Sequence, residues 1–119
     1  MYSQELEGIG FFNNKTPRFT SRVAPLLRPV NVTKGEYIYM KGDMIDGIYF
    51  IKSGRACYVE PRPQADLIFA SLTTGAYFGD VDFVAATNLL EAKRNFTIKA
   101  MNDMELLVLP KEDLIQLDA

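Results

Sequence analysis

Two stretches of this sequence carry residue types that can do chemistry together: Thr74-Gly75-Ala76-Tyr77-Phe78-Gly79-Asp80-Val81-Asp82-Phe83 and Lys93-Arg94-Asn95-Phe96-Thr97-Ile98. Glycine at 79 lets the backbone approach a ligand closely, and residues 81–86 can form one helical turn whose free N–H groups point back at it. Such a terminus suits an anion such as a phosphate, since the amides and the helix dipole act together. An arginine arriving from the next strand can clamp that anion with two parallel hydrogen bonds, and Arg94 is the candidate. Asp80 is placed to accept from sugar hydroxyls, as acidic residues do for ribose in dinucleotide sites. Arg94 has an equally ready structural use, which is to pair with Asp80 or Asp82 in the empty site. Asp80 and Asp82 alone make a poor cation site, because a hard cation needs further oxygen ligands.

The elements that must position these residues are short. Asn13-Asn14-Lys15 breaks the chain, Thr16-Pro17 reads as a cap followed by a first-turn proline, and Phe19, Val23, Leu26 and Leu27 then recur near helical spacing. Arg28-Pro29 ends that helix, and Phe11 and Phe12 plug the same core. From Val30 the grammar changes to strands separated by Lys34-Gly35, Lys41-Gly42, Ser53-Gly54 and Thr74-Gly75, which read as turns rather than sites. Candidate strands cover residues 37–40, 47–52, 56–60, 67–72, 96–100 and 105–109, all rich in aromatic and branched residues. Six short strands imply a barrel or sandwich. Pro61-Arg62-Pro63-Gln64-Ala65-Asp66 is a loop, because its two prolines cannot donate to a ladder, and it is the expected site of disorder. Pro110 stops the last strand and opens a helix over residues 111–117. Tyr37, Tyr39, Tyr49, Tyr58 and Tyr77 read as packing residues with a wet edge, and Cys57 as a buried small hydrophobe.

Composition narrows the chemistry. The 119 residues are 48% hydrophobic and 24% charged, the balance of one globular domain able to bury its own core. The chain has no histidine and a single cysteine, which removes histidine-based nucleophilic pairs, histidine metal sites, cysteine zinc sites and intrachain disulfides. This fits a reducing compartment. Lys+Arg 13 against Asp+Glu 15 gives a net charge of -2, so no nucleic-acid partner held by phosphate neutralisation is expected. No apolar run approaches the roughly 20 residues that span a bilayer, and the start MYSQELEG has no basic end followed by an apolar stretch. The segment is expected to be soluble and not an enzyme.

The order of these signals resembles a known family. Lys34-Gly35-Glu36, Lys41-Gly42-Asp43, Gly47-Ile48-Tyr49-Phe50-Ile51-Lys52-Ser53-Gly54, Tyr77-Phe78-Gly79-Asp80 and Arg94 together look like the cyclic nucleotide-binding domain. Phe11-Phe12-Asn13, Leu26-Leu27-Arg28-Pro29 and Phe96-Thr97-Ile98-Lys99-Ala100 leading to Glu105-Leu106-Leu107-Val108-Leu109 are similar to the cytosolic domains of voltage-gated and cyclic nucleotide-gated channels. The resemblance implies a mainly β fold with flanking α: an eight-stranded jelly roll, which covers its sheet edges. It implies an N-terminal helical segment over residues 1–29, the jelly roll over 30–110 with a phosphate-binding cassette at about 78–97, and the start of a C-terminal helix over 111–119. A lid helix that closes on the base is expected beyond Ala119.

The resemblance also implies the ligand and its contacts. Cyclic AMP or cyclic GMP is the expected ligand, with no metal or other cofactor. It is held by Phe78, Gly79, Asp80, Val81, Asp82, Arg94 and Asn95. Gly79, the amides after it and Arg94 fall at the cyclic phosphate, and Asp80 stands where the family most often has a glutamate on the ribose 2′-hydroxyl. Asp82 replaces a small alanine or serine. A second carboxylate about 5 Å from a phosphate costs on the order of 3 kcal/mol at an effective dielectric near 20, comparable to what one arginine contributes. Asn95 stands where a threonine or serine linked to cyclic GMP preference often follows the arginine, which favours cyclic AMP slightly. The expected host is a homotetrameric, potassium-conducting membrane channel, with this domain cytoplasmic and biasing the pore gate. The alternatives are a ligand-free homology domain acting in assembly or intrinsic gating, and the same module in a kinase regulatory subunit, exchange factor or transcription factor. A histidine-rich jelly-roll metalloenzyme is ruled out by composition.

Overall fold

The computed structural model describes residues 21–82 and 92–117. Residues 21–23 are helical and run into a 3-10 turn, Ala24–Leu26. The strands follow as β1 Arg28–Val32, β2 Tyr37–Tyr39, β3 Gly47–Ser53, β4 Arg55–Glu60, β5 Leu67–Thr73, β6 Tyr77–Phe78, β7 Thr97–Ala100 and β8 Met104–Pro110, before helix α1, Lys111–Leu117. They form two four-stranded antiparallel sheets, ordered β1-β8-β3-β6 and β2-β7-β4-β5. This is the jelly roll that the resemblance implies.

β3 and β8 are central in the first sheet and buried on both faces, because successive side chains point to opposite sides. Ile48, Phe50, Leu107 and Leu109 point away from the second sheet and pack with Val23, Ala24 and Leu27, with Leu26, Tyr77 and Leu114 against them. Tyr49, Ile51, Met104 and Leu106 point into the sandwich, where they meet Tyr39, Ala56, Phe78, Ile98 and Ala100. The helical stripe therefore covers the back of one sheet, and each fully buried aliphatic or phenyl group there contributes roughly 1.5–3 kcal/mol. Phe11, Phe12 and Phe19, and the start of their helix, lie outside the described residues.

The six strands expected from glycine spacing are present, as is α1. β1 and β6 are additions. β1 begins at Arg28, two residues before the expected boundary at 30, and the Arg28-Pro29 signal that ends a helix also opens a strand on the sheet edge, paired only with β8. β6 is two residues long and exists through its pairing with β3, Tyr49 opposite Phe78 and Phe50 opposite Tyr77. The Pro61–Asp66 loop, expected as the site of disorder, is tied down at its end. Lys99 Nζ donates to Asp66 Oδ2 at 2.8 Å, and the Tyr37 hydroxyl donates to the same carboxylate at 3.2 Å.

Candidate functional site

Arg94 is placed by its backbone before its side chain matters. Residues 92–95 run beside the turn that precedes β3: Arg94 N–H donates to Asp43 O at 2.7 Å, Gly42 N–H donates to Arg94 O at 2.9 Å, and Ile45 N–H donates to Ala92 O at 3.2 Å. The turn is itself braced, since Met40 N–H donates to Asp43 Oδ2 and Lys41 N–H to Thr97 Oγ1. The Lys41-Gly42-Asp43 turn thus holds the strand segment that carries the arginine.

From there the Arg94 side chain runs inward and is completely buried. Nη1 donates to Gly79 O at 2.8 Å and to Asp82 Oδ2 at 3.1 Å. Nη2 donates to Gly47 O at 2.6 Å and to Asp46 Oδ1 at 2.7 Å. The guanidinium carbon lies 4.0 Å from the centre of the Tyr39 ring, a cation–π contact. Both terminal nitrogens are therefore spent on protein acceptors, and the buried Nε has no partner among the described residues. Burial works against the charge of this guanidinium. The hydrogen bond to Asp46, the Tyr39 phenol and the hydrogen bond to Asp82 outweigh it and hold Arg94 above its ordinary value.

Gly79 is required by two conditions. Its φ of +90° lies in the left-handed region, and a Cβ there would sit 2.9 Å from Arg94 Nη1 and 3.2 Å from Gly47 O. A side chain at Gly47 would likewise run into Leu109 O on the neighbouring strand, so the carbonyl that receives Nη2 comes from a backbone packed too tightly for anything larger.

Asp82 is almost fully buried and uses both oxygens. Oδ2 accepts from Arg94, while Oδ1 accepts from Asn95 N at 3.0 Å and Asn95 Nδ2 at 2.9 Å. The structure therefore brings Gly79, Asp82, Arg94 and Asn95 together. Of the two expected pairings for Arg94, the one with Asp82 forms. Asp80 makes no hydrogen bond or ion pair among the described residues. It is half-buried at the rim, where it joins Asp82 in adding to the effect of burial in pushing the Tyr58 phenol up. The side chain of Phe78, expected among the ligand contacts, is fully buried and stacks on Tyr49, centroids 5.2 Å apart with rings 2° from parallel. Alternation on β6 sends it into the sandwich. The helical turn expected over residues 81–86 is seen at 81–82, and residues 83–86 lie outside the described residues.

Sequence reasoning missed Asp46. Its two oxygens accept from Arg94 Nη2 and, at 2.5 Å, from the Tyr49 hydroxyl. Burial, and then the hydrogen bond to Asp46, push the Tyr49 phenol up. Burial likewise pushes Tyr39 up, partly opposed by Arg94. The only sequence signal was an Asp-Gly step ahead of a strand, which reads as a turn.

Beside this polar cluster lies an apolar hollow of about 460 Å³ lined by Tyr58, Phe69, Ala70, Val81 and Phe96. Phe69, Val81 and Phe96 are 64%, 51% and 48% exposed, so large apolar groups are presented to whatever enters it. The Phe96 ring meets Tyr58 edge-on at 5.7 Å. Val81 sits between Asp80 and Asp82, and Phe96 follows Asn95, so the hollow is lined in part by the chain neighbours of the polar cluster.

The sequence model of the cyclic nucleotide-binding domain matches residues 29–119. The chain belongs to the cyclic nucleotide-binding domain family. Along its sequence this cyclic nucleotide-binding domain is 28% identical over 110 residues to cyclic nucleotide-gated channel alpha-4 of Mus musculus, covering 92% of this chain and 19% of the channel. It is 31% identical over 91 residues to a cyclic nucleotide-gated cation channel of Ictalurus punctatus, covering 76% of this chain and 13% of that one. The chain thus spans less than a fifth of the length of these channels. In fold it superposes on the regulatory domain of Toxoplasma gondii PKA, crystallised with cAMP, with a TM-score of 0.84 at 21% identity, over 100% of this chain and 44% of that one. No helix among the described residues of this domain is long and apolar enough to cross a membrane.

Proposed function

We propose that this domain is a non-catalytic regulatory module that binds a cyclic purine nucleotide, cyclic AMP or cyclic GMP, and couples that binding to the gate of a cation channel. The observation that carries the reading is the apolar hollow lined by Val81 and Phe96, the chain neighbours of Asp82 and Asn95, in a domain of this family. The hollow takes the flat face of a purine, Asp80, which has no hydrogen bond or ion pair among the described residues, offers its carboxylate to a ribose hydroxyl, and Arg94 lies behind Asp82 as the cation for the cyclic phosphate. The channel relatives support a place in a cation channel, and the sequence resemblance adds a cytoplasmic position in a homotetramer of the potassium-conducting kind. Ligand biases such a gate by its differential affinity for the two gating states, typically 1–3 kcal/mol.

Calorimetric titration of cyclic AMP and cyclic GMP into the 119-residue chain tests the reading. Saturable binding that Phe96→Ala weakens about tenfold is expected, since stacking a base on an aromatic ring is worth roughly 1–3 kcal/mol. The absence of saturable binding by a folded domain would overturn it. A second reading, a ligand-free homology domain acting in assembly or intrinsic gating, is favoured by one specific observation: the terminal nitrogens of Arg94 are already satisfied from within.

A further inference from the structure

Arg94, the candidate cation for a phosphate, and its neighbour Asn95 both donate to one carboxylate of the same cassette. Asp82 Oδ2 takes Arg94 Nη1, and Asp82 Oδ1 takes the backbone and side-chain nitrogens of Asn95. This carboxylate is 2% exposed and Arg94 is 2% exposed, so the pair is screened from water and its charges act at short range. The remaining acceptors of the guanidinium, Gly79 O, Gly47 O and Asp46, complete both of its terminal nitrogens.

We propose that Asp82 is a specificity-determining residue: it fills the anion position of the cassette as a tethered anion, and so disfavours ligands with a charged phosphate there relative to uncharged, hydroxyl-bearing purine nucleosides. The proposal rests on the ligand-binding reading above. A cyclic phosphate reaching Arg94 displaces Asp82 from Nη1 and is left facing the displaced carboxylate, with Asp46 still on Nη2 and Asp80 at the rim. Like charges held that close in a dry site repel, and a buried carboxylate parted from its cation is left uncompensated. A nucleoside hydroxyl does the reverse. It donates, Asp80 can accept, and Asp82 stays paired with Arg94 and Asn95.

The test is a comparison of two ligands that differ at that position, cyclic AMP and adenosine, titrated into the wild-type chain and into Asp82→Asn and Asp82→Ser. Asparagine keeps the volume and an oxygen for Asn95 while removing the charge, and serine removes the group. Each neutral variant is expected to bind cyclic AMP about tenfold or more tightly than wild type, while adenosine affinity moves by less than about threefold. A parallel change for both ligands, or no gain for cyclic AMP in variants whose circular dichroism shows them folded, would overturn the proposal and leave the binding function standing. Should neither variant fold, the wild-type chain decides: adenosine bound at least as tightly as cyclic AMP supports the proposal, and cyclic AMP bound about tenfold more tightly refutes it. Binding of neither ligand to any folded form removes the binding function and the proposal together.

Discussion

Asp46 accepts from Arg94 Nη2 at 2.7 Å with one oxygen and from the Tyr49 hydroxyl at 2.5 Å with the other, joining the turn before β3, the cassette arginine and the inner face of the sandwich through a single carboxylate. Its side chain is 58% exposed while that of Arg94 is 0% exposed, so the cluster has one wet end. A pair with an exposed partner is worth little by charge alone. What Asp46→Ala removes is chiefly the acceptor for Tyr49 and one of two acceptors on Nη2, the other being Gly47 O. The expected loss is about 1 kcal/mol, seen as a fall in Tm of roughly 5 °C. Asp46→Asn, which keeps an acceptor oxygen, is expected to lose less. A melting curve for Asp46→Ala that matches wild type would mean that the carboxylate plays no part in holding Arg94.

That relationship also shows where sequence reading stops. Glycine punctuation and aromatic, branched segments gave β3, β4 and β5 to within one residue at an end, and Pro110 with Lys111–Leu117 gave α1, because strand length and helix starts are local properties. β6 has no local signature. Tyr77–Phe78 is a strand through its partners Phe50 and Tyr49, some thirty positions earlier in the chain. The Asp46–Arg94 contact spans a separation of 48 positions and depends on the sheet order, which no local pattern encodes. Jelly-roll topology entered through the resemblance alone. Asp82 was legible as a departure from the family pattern, whereas the sharing of its two oxygens between Arg94 and Asn95 needed coordinates.

Gly79 and Gly35 form a matched pair for measuring how tightly the cassette holds Arg94. Their φ angles are +90° and +89°, so the backbone penalty for alanine is the same at both, about 1 kcal/mol. They differ in surroundings: a Cβ at Gly79 would crowd Arg94 Nη1 and Gly47 O, whereas one at Gly35 meets nothing within 4 Å. Gly79→Ala is therefore expected to cost about 1 kcal/mol more than Gly35→Ala in urea unfolding, the excess coming from moving a guanidinium held by four acceptors. Equal costs would show that the guanidinium shifts freely and that the cluster is loose.

The ion pair between Asp66 and Lys99 predicts a pH signature for the loop before β5. Hydrogen bonding from Lys99, then from Tyr37, holds the Asp66 carboxyl below the usual carboxylate range despite the opposing effect of partial burial, and the same hydrogen bond holds the Lys99 ammonium above its usual range. A depressed carboxyl stabilises the fold above its unfolded value and loses that contribution as pH falls through the folded one. A raised ammonium stabilises below its unfolded value and loses the contribution as pH rises through the folded one. The contribution of the pair is thus complete between about pH 4 and pH 10 and declines outside both limits. Asp66→Asn should melt below wild type at pH 7, and the gap between the two should narrow as pH drops below about 4, because protonation gives wild type the same neutral group. Melting curves for both proteins from acid to neutral pH check this. A gap that stays constant across the acid range would mean that the carboxylate charge contributes nothing and that Asp66 anchors the loop through its shape alone.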